Sequence, residues 1–373
     1  MTSGAMNSAS DAVPAIVIEP GKKGGAQLGA VAREPITAGS VRLAVQAVGV
    51  CGTDAEICEG LYGQAPAGER QLVLGHEALA RVTEVGPGVE SLAVGQLVVP
   101  IVRRPCQPPC AACSQGRWDE CLTGNYQEHG IKGLHGFMRQ ELVVGADAVV
   151  PLPEALAEVG MLTEPLTIVE KAVERALALH QLGSGEPRRA LVTGAGPVGL
   201  LGALLLLCRG LEVYVVDRRP AGSPKAQLVE SVGAHYIDDS ATPMEQAAPT
   251  GGFDIALEAT GYAPLLFRAL SALGVNGVLV LTGVTGGHHE LDVDVNLMNT
   301  TMVLENQAMV GSVNAARRHY QQAVQDLAAF VTRFGPAVPA LITERVPLSQ
   351  FAQAFDKAPD AIKSVVMVAE GAR

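Results

Sequence analysis

Three glycines between an apolar strand and an apolar helix constrain this 373-residue chain more than any other feature. In "RALVTGAGPVGLLGALLLL", Gly194, Gly196 and Gly199 let the backbone amides of the turn Gly194, Ala195, Gly196, Pro197, Val198 and Gly199 approach a pyrophosphate at a helix N-terminus with no Cβ in the way. A glycine triplet alone is weak, and an ordinary tight turn has the same look. Here, however, strand-like and helix-like runs alternate from about Arg188 to "GVLVLTG", which predicts a parallel sheet wrapped by helices. The second run, "EVYVVD", ends in Asp217 at the distance expected of an acid that accepts the adenosine ribose hydroxyls. Asp217 favours NAD, whereas Arg218 and Arg219 offer planar donors to a 2′-phosphate and favour NADP, so use of either is expected.

Before this region the pattern changes. "AIVIE", "VRLAVQAVGV", "ALARVTEVG", "GQLVVP" and "MRQELVV" are short β-branched runs broken by Gly and Pro, predicting antiparallel β structure. "LTEPLTIVEKAVERALALHQLG" has helical spacing, with Thr163 as candidate N-cap, Pro165 in the first turn and Gly183 as a stop. The start of the chain, residues 1–14, has neither a basic nor an apolar core and is expected to be a disordered tail, not an export signal.

Cys106, Cys110, Cys113 and Cys121 are separated by three, two and seven residues in a loop rich in Pro, Gly and charge. Such a loop buries too little apolar area to order itself. Four thiolates around one tetrahedral zinc would order it, with roughly 10–16 kcal/mol of apparent binding free energy available from a structural site. A redox disulfide pair and a chance cluster are the other readings. Elsewhere, "VGVCGTD" and "LVLGHE" supply Cys51, His76 and Glu77, a mixed sulfur, nitrogen and oxygen set that suits an open catalytic zinc, although a lone Cys or His is more often a packing residue. Cys58 and Cys208 fit that plainer reading.

A formal charge of −11 argues against nucleic acid or an anionic membrane as partner and leaves small molecules. No apolar run is long enough to span a bilayer. Crowded cysteines without an export signal suggest reduced thiols in the cytoplasm.

The order "GVCGTD", "LVLGHE", four-cysteine loop and glycine turn resembles the zinc-dependent medium-chain alcohol dehydrogenases over nearly the whole chain past residue 15. More narrowly, "CGTDAEICEGLYGQAPAGERQLVLGHE", "VVPIVRRPC", "TGNYQEHGIKGLHGF", "LTEPLTIVEKA" and "GSVNAARRHYQQAV" resemble the glucose 1-dehydrogenases of archaea and related microbes. That resemblance implies an α/β chain with a GroES-like β domain from residues 15–186 and 315–373. A Rossmann domain with a doubly wound parallel sheet, residues 187–314, is inserted in it, with the substrate cleft between the two and assembly as a homodimer or homotetramer through the Rossmann sheet edge.

By the same resemblance Cys51 and His76 are ligands of a catalytic zinc, Glu77 a ligand or near-ligand, and Glu164 the acid at the remaining position, directly or through water. Glu128, Glu164 and Asn314 match positions that hydrogen-bond sugar hydroxyls. Thr282, Gly283 and Val284, with Ser312, Val313 and Asn314, match segments lining the nicotinamide half of the cofactor. The implied reaction lowers the pKa of the anomeric hydroxyl on zinc, relays its proton through Thr53 and transfers hydride to NAD or NADP, giving the lactone. Plainer roles remain open: Glu128 as a surface acid, Thr53 as a helix cap, Asn314 as the N-cap of the next helix. The first cysteine gap is one residue longer than the family commonly has, and Val102 stands where some relatives carry a sugar-contacting Asn. Glucose is the first expectation, a polyol, secondary alcohol or amino-sugar intermediate the second, and a non-catalytic NAD(P)-binding protein the last.

Overall fold

The computed structural model describes residues 12–183, 185–284, 290–356 and 358–369. Contacts divide the chain into one unit spanning Pro165–Leu341, called inner because it is inserted in the sequence of the other, and an outer unit formed by the residues up to Glu164 together with those from Ile342 onward. The boundaries expected at 186/187 and 314/315 therefore shift, and packing explains why. The helix Arg317–Phe334 packs on the helix Pro197–Cys208, and Arg209 holds Asp326 through bonds of 3.0 and 2.8 Å. The helix Thr163–His180 is tied to the same unit by Lys171 Nζ on the Val313 carbonyl at 2.9 Å.

In the inner unit, six strands lie in the order His235–Asp238, Glu212–Asp217, Arg189–Thr193, Phe253–Glu258, Leu273–Leu281, Ala308–Gly311, with every neighbouring pair parallel. In chain order this is 3-2-1-4-5-6, the doubly wound sheet expected, and the order reverses between Arg189–Thr193 and Phe253–Glu258. These strands read as unbroken apolar runs because both faces are covered: Leu191, Val192, Val213, Val215, Ile255, Leu257 and Leu279 are all buried. Each contributes roughly 1.5–3 kcal/mol of transfer free energy. The helix Pro197–Cys208 is apolar all round for the same reason, with Leu200, Leu201 and Leu204–Leu207 buried.

The outer unit holds a sheet in the order Val149–Pro151, Leu97–Pro100, Glu77–Val85, Ser40–Gly49, Lys363–Met367, Ile342–Pro347, with Glu141–Gly145 also on Ser40–Gly49. Its pairs are antiparallel except the last, which is parallel. Two registers matter for function: Gly49 stands opposite Glu77 on one side and Val365 on the other. The expected tail lies outside the described residues as far as residue 11. Beyond that it is not a tail, since Ala12–Ile18 is a strand paired with Gln27–Ala32 and its Ile16 and Ile18 are core residues. Thr163 is also not the expected N-cap: its backbone is already helical (φ −61°, ψ −44°), and it closes the short turn Gly160–Leu162 as it opens the helix.

Candidate metal and nucleotide sites

The pairing of Gly49 with Glu77 brings two distant loops to one end of the outer sheet, because Cys51 follows the first strand and His76 precedes the second. Cys51 Sγ lies 3.0 Å from His76 Nε2, and one donor atom each from Cys51, His76 and Glu77 falls within 4.8 Å of the others. Cys51 is the N-cap of the helix Gly52–Cys58, its sulfur accepting the Thr53 amide at 3.2 Å. Asp54, fully buried, completes the cap by accepting the Cys51 amide at 3.0 Å and also takes the Gly75 amide at 3.2 Å. Its other contact is with His76 Nδ1 at 3.5 Å, a charge pairing behind the ring nitrogen that faces Cys51.

Burial opposes charge on both partners. It is outweighed at His76, whose pKa is held well above its ordinary value by Cys51 and Asp54, and at Asp54, whose carboxyl is held low chiefly by His76. Glu77 is clamped by Lys363, whose Nζ is 2.6 and 2.8 Å from the two carboxylate oxygens and also 3.1 Å from the Val50 carbonyl. A Cβ at Gly49 would strike Glu77 Oε2, so a side chain there would displace the carboxylate that Lys363 clamps. Glu164 is buried and falls outside the tight three-donor group. Burial, with Glu77 and Asp54, pushes its carboxyl up to about 7 against the pull of His76 and Lys363, so it stands within electrostatic reach of the cluster.

The four-cysteine loop also converges. Sγ atoms of Cys106, Cys110, Cys113 and Cys121 lie within 4.8 Å of one another, with Cys110 and Cys121 at 4.0 Å. Tetrahedral zinc with Zn–S bonds of about 2.3 Å requires S···S separations of roughly 3.8 Å, so the donors fit the ion. Amides of Cys110 and Leu122 point at Cys106 and Cys110 sulfurs at 3.2 and 3.5 Å. Amide donation from Cys113 and then Leu122 brings the Cys110 thiol down to about 6, whereas burial pushes Cys113 up to about 12. All four cysteines are free thiols.

On the inner unit, Gly194 has φ +93°, and a Cβ on Gly199 would collide with the Gly194 carbonyl oxygen, which explains the first and third glycines. Gly196 is the extended N-cap of the helix that Pro197 opens, followed by Val198. Asp217 Oδ2 accepts the Ala195 amide at 2.8 Å and Oδ1 the Arg219 amide at 3.1 Å, so the acid braces the glycine turn. Arg218 is exposed. Thr282 donates from N and Oγ1 to the Glu258 carbonyl at 3.0 and 2.7 Å, Gly283 packs on Gly261, and Val284 is exposed. Ser312 is buried with its amide on the Leu281 carbonyl at 2.9 Å, Val313 is exposed, and Asn314 takes a left-handed φ of 56°.

Two of the plainer alternatives are corrected by this geometry. Asn314 is not the N-cap of the next helix, since Ala316 is and the helix Arg317–Phe334 begins later; the Asn314 side chain accepts the Ala315 amide at 2.8 Å. Glu128 is not a surface acid: it is 4% exposed and ion-paired with Arg103, Nε at 3.0 Å and Nη2 at 2.9 Å from Oε1. Arg103 in turn stacks over Tyr126 at 3.6 Å. Thr53 lies half-buried in the first turn beside Cys51. Val102 is buried and apolar. Sequence reasoning missed Asp54, Arg103, Glu258 and Lys363. Only Asp54 carried a local signal, an acid three residues after a capping Cys.

A GroES-like half carrying a Cys–His–Glu donor set and a Rossmann half carrying a glycine turn define a zinc-type medium-chain dehydrogenase. Residues 37–154 match the alcohol dehydrogenase GroES-like domain and residues 157–368 the glucose dehydrogenase C-terminus. Glucose 1-dehydrogenase 2 of Vulcanisaeta moutnovskia is 40% identical over 357 residues, 95% of this chain and 99% of that one. Glucose 1-dehydrogenase of Thermoproteus tenax is 42% identical over the same length and shares. The structure of Haloferax mediterranei glucose dehydrogenase in complex with NADP, Zn and gluconolactone is 34% identical and aligns with a TM-score of 0.86 over 95% of this chain and 99% of that one. The chain belongs to the glucose dehydrogenase family of zinc-type alcohol dehydrogenases.

Proposed function

We propose that the protein oxidises the anomeric hydroxyl of an aldose, D-glucose first, to the lactone with hydride transfer to NAD or NADP. The observation that carries this reading is the meeting of Cys51 Sγ and His76 Nε2 at 3.0 Å beside Glu77, from positions 25 and 26 residues apart in the chain. The Haloferax relative, whose structure holds NADP, Zn and gluconolactone, supports the substrate and cofactor classes.

Cys51 and His76 would hold a catalytic zinc, with Glu77 or Glu164 at the remaining protein position, directly or through water. Bound there, zinc supplies Lewis acidity that lowers the pKa of the sugar hydroxyl toward neutrality. Thr53, in the first turn of the helix that Cys51 caps, takes up the hydroxyl proton as its own hydroxyl proton leaves outward to solvent. Glu128, fixed by Arg103, and Glu164 orient the pyranose by charge-assisted hydrogen bonds, and Asn314 supplies a further polar contact. A second zinc in the Cys106–Cys121 loop is structural, because its four donors are all sulfur and leave no open position.

The glycine turn 194–199 cradles the pyrophosphate, while Thr282–Val284 and Ser312–Asn314 line the nicotinamide half. Asp217 serves the ribose of NAD, and Arg218 with Arg219 serves the phosphate of NADP. The partner is a second copy of the chain, in a homodimer or homotetramer. Ala308–Gly311 is a sheet edge flanked by exposed Val303, Leu304 and Met309, which association would cover. The formal charge of −11 disfavours nucleic acid and anionic membrane surfaces as partners; among the described residues no helix is long and apolar enough to cross a membrane. Free thiols arranged as zinc ligands favour a cytoplasmic setting. The test is a panel of aldoses and simple alcohols run with NAD and NADP in parallel. Best turnover on glucose supports the proposal, and best turnover on a polyol or secondary alcohol replaces it with that substrate.

A further inference from the structure

Glu258 ends the strand Phe253–Glu258 directly across from Thr193, at the point where the strand order reverses. Its carboxylate is 4% exposed, yet it belongs to none of the groups assigned above. Oε1 accepts the Thr260 amide at 2.7 Å, the Thr260 hydroxyl, the Gly261 amide at 3.2 Å and the Thr193 hydroxyl at 3.4 Å, while Oε2 accepts the Gly261 amide at 3.3 Å. Its backbone carbonyl takes both donors of Thr282. One residue thus gathers three loops at the carboxyl ends of adjacent strands: Thr193–Gly194, Thr260–Gly261 and Thr282–Val284. The loops touch, for a Cβ on Gly283 would collide with Gly261, and Gly261 itself sits at φ +66° against the Val284 carbonyl.

Among the described residues the donors to this carboxylate are amides and hydroxyls, none a cation, so its charge is not neutralised within the group. In a doubly wound sheet the first three strands carry the adenosine half of a dinucleotide and the last three its other half, with the crevice at the reversal. Glu258 is the buried anion on that second side. We infer that Glu258 is a positioning residue of the cofactor site whose buried charge also favours the oxidised cofactor over the reduced one. The physical basis is that the nicotinamide ring carries a positive charge only when oxidised, and a charge in a low-dielectric surround acts on it over several ångströms. This rests on the dinucleotide-binding reading and adds to it a determinant of redox-state preference.

The test is titration calorimetry of NADP and NADPH binding to the full-length zinc-loaded protein and to Glu258→Gln, which keeps an acceptor for Thr260 and Gly261 but removes the charge. The ratio of the two dissociation constants is the readout, because loss of folded protein changes both alike. Glu258→Gln is expected to raise the ratio of oxidised to reduced dissociation constants by about fivefold or more. Thr260→Lys, at an exposed position bonded to the carboxylate, is expected to move it the same way and serves if the first variant does not fold. A ratio within twofold of wild type in the folded variants overturns the inference. Failure of the wild-type protein to bind NADP and NADPH, and equally NAD and NADH, would instead overturn the dinucleotide reading; binding of NAD and NADH alone moves the same ratio measurement to that pair.

Discussion

Lys363 and Glu77, separated by 286 positions, form a buried ion pair with Nζ 2.6 Å from one carboxylate oxygen and both side chains 3% exposed or less. The pair stitches the strand Lys363–Met367 to the strand that follows His76. Removing one partner of a buried pair leaves the other charge uncompensated, which costs about 3–5 kcal/mol. Lys363→Met is therefore expected to lower the unfolding free energy by about that amount. Adding Glu77→Gln to it restores much of the loss. Denaturant unfolding of the two variants measures both.

Asp54 acts on the site from behind, through His76 and the Cys51 amide. Partners of this kind typically account for 10- to 100-fold in metal affinity, so Asp54→Asn is expected to weaken zinc retention by roughly that factor. Competition with a chromophoric chelator reads the change, and unaltered affinity would assign Asp54 a capping role alone.

The four-cysteine loop should depend on metal for order. Cys113→Ser is expected to lower the zinc content by one per chain and to reduce thermal stability, while leaving the Cys51 site loaded. Elemental analysis with a melting curve checks this. Unchanged zinc content would point to an empty thiol cluster.

Glu170 provides a pH test. Burial and then the charge of Asp326 raise its carboxyl to about 9, against Arg209; Glu174 and His319 stand close by in the same helix pair. A folded pKa above the unfolded value near 4.5 means the protonated group stabilises fully below about pH 4.5, and this contribution fades as pH rises toward 9. Glu170→Gln, which cannot ionise, is expected to gain stability relative to wild type from pH 5 to 9, by at least ~1.5 kcal/mol at pH 8. Parallel melting curves across that range would show no divergence if Glu170 ionises normally.

Local features were legible in the sequence, and tertiary ones less so. The glycine turn and Asp217 were readable because a strand, a tight turn and a helix are set by neighbours in the chain. The four cysteines were readable because their spacing already confines them to one loop. Cys51 and His76 could be named but not joined, since their meeting depends on the register that sets Gly49 opposite Glu77. Lys363 and Glu258 were invisible because each is a lone charge in an apolar run, and Arg103 because it reads as half of a surface Arg-Arg pair; the partner of each is fixed only by tertiary pairing. The unit boundaries were displaced for a similar reason: both long helices take their places by contacts such as Arg209 with Asp326 rather than by any break in the pattern.

The most direct measurement is glucose-dependent formation of reduced nicotinamide by zinc-replete wild type and by Cys51→Ser, with the lactone identified as product and folding of both checked by circular dichroism. The account predicts turnover in wild type and its loss in a folded Cys51→Ser protein with reduced zinc content. Undiminished turnover in that variant, or none in the zinc-replete wild type, would contradict it.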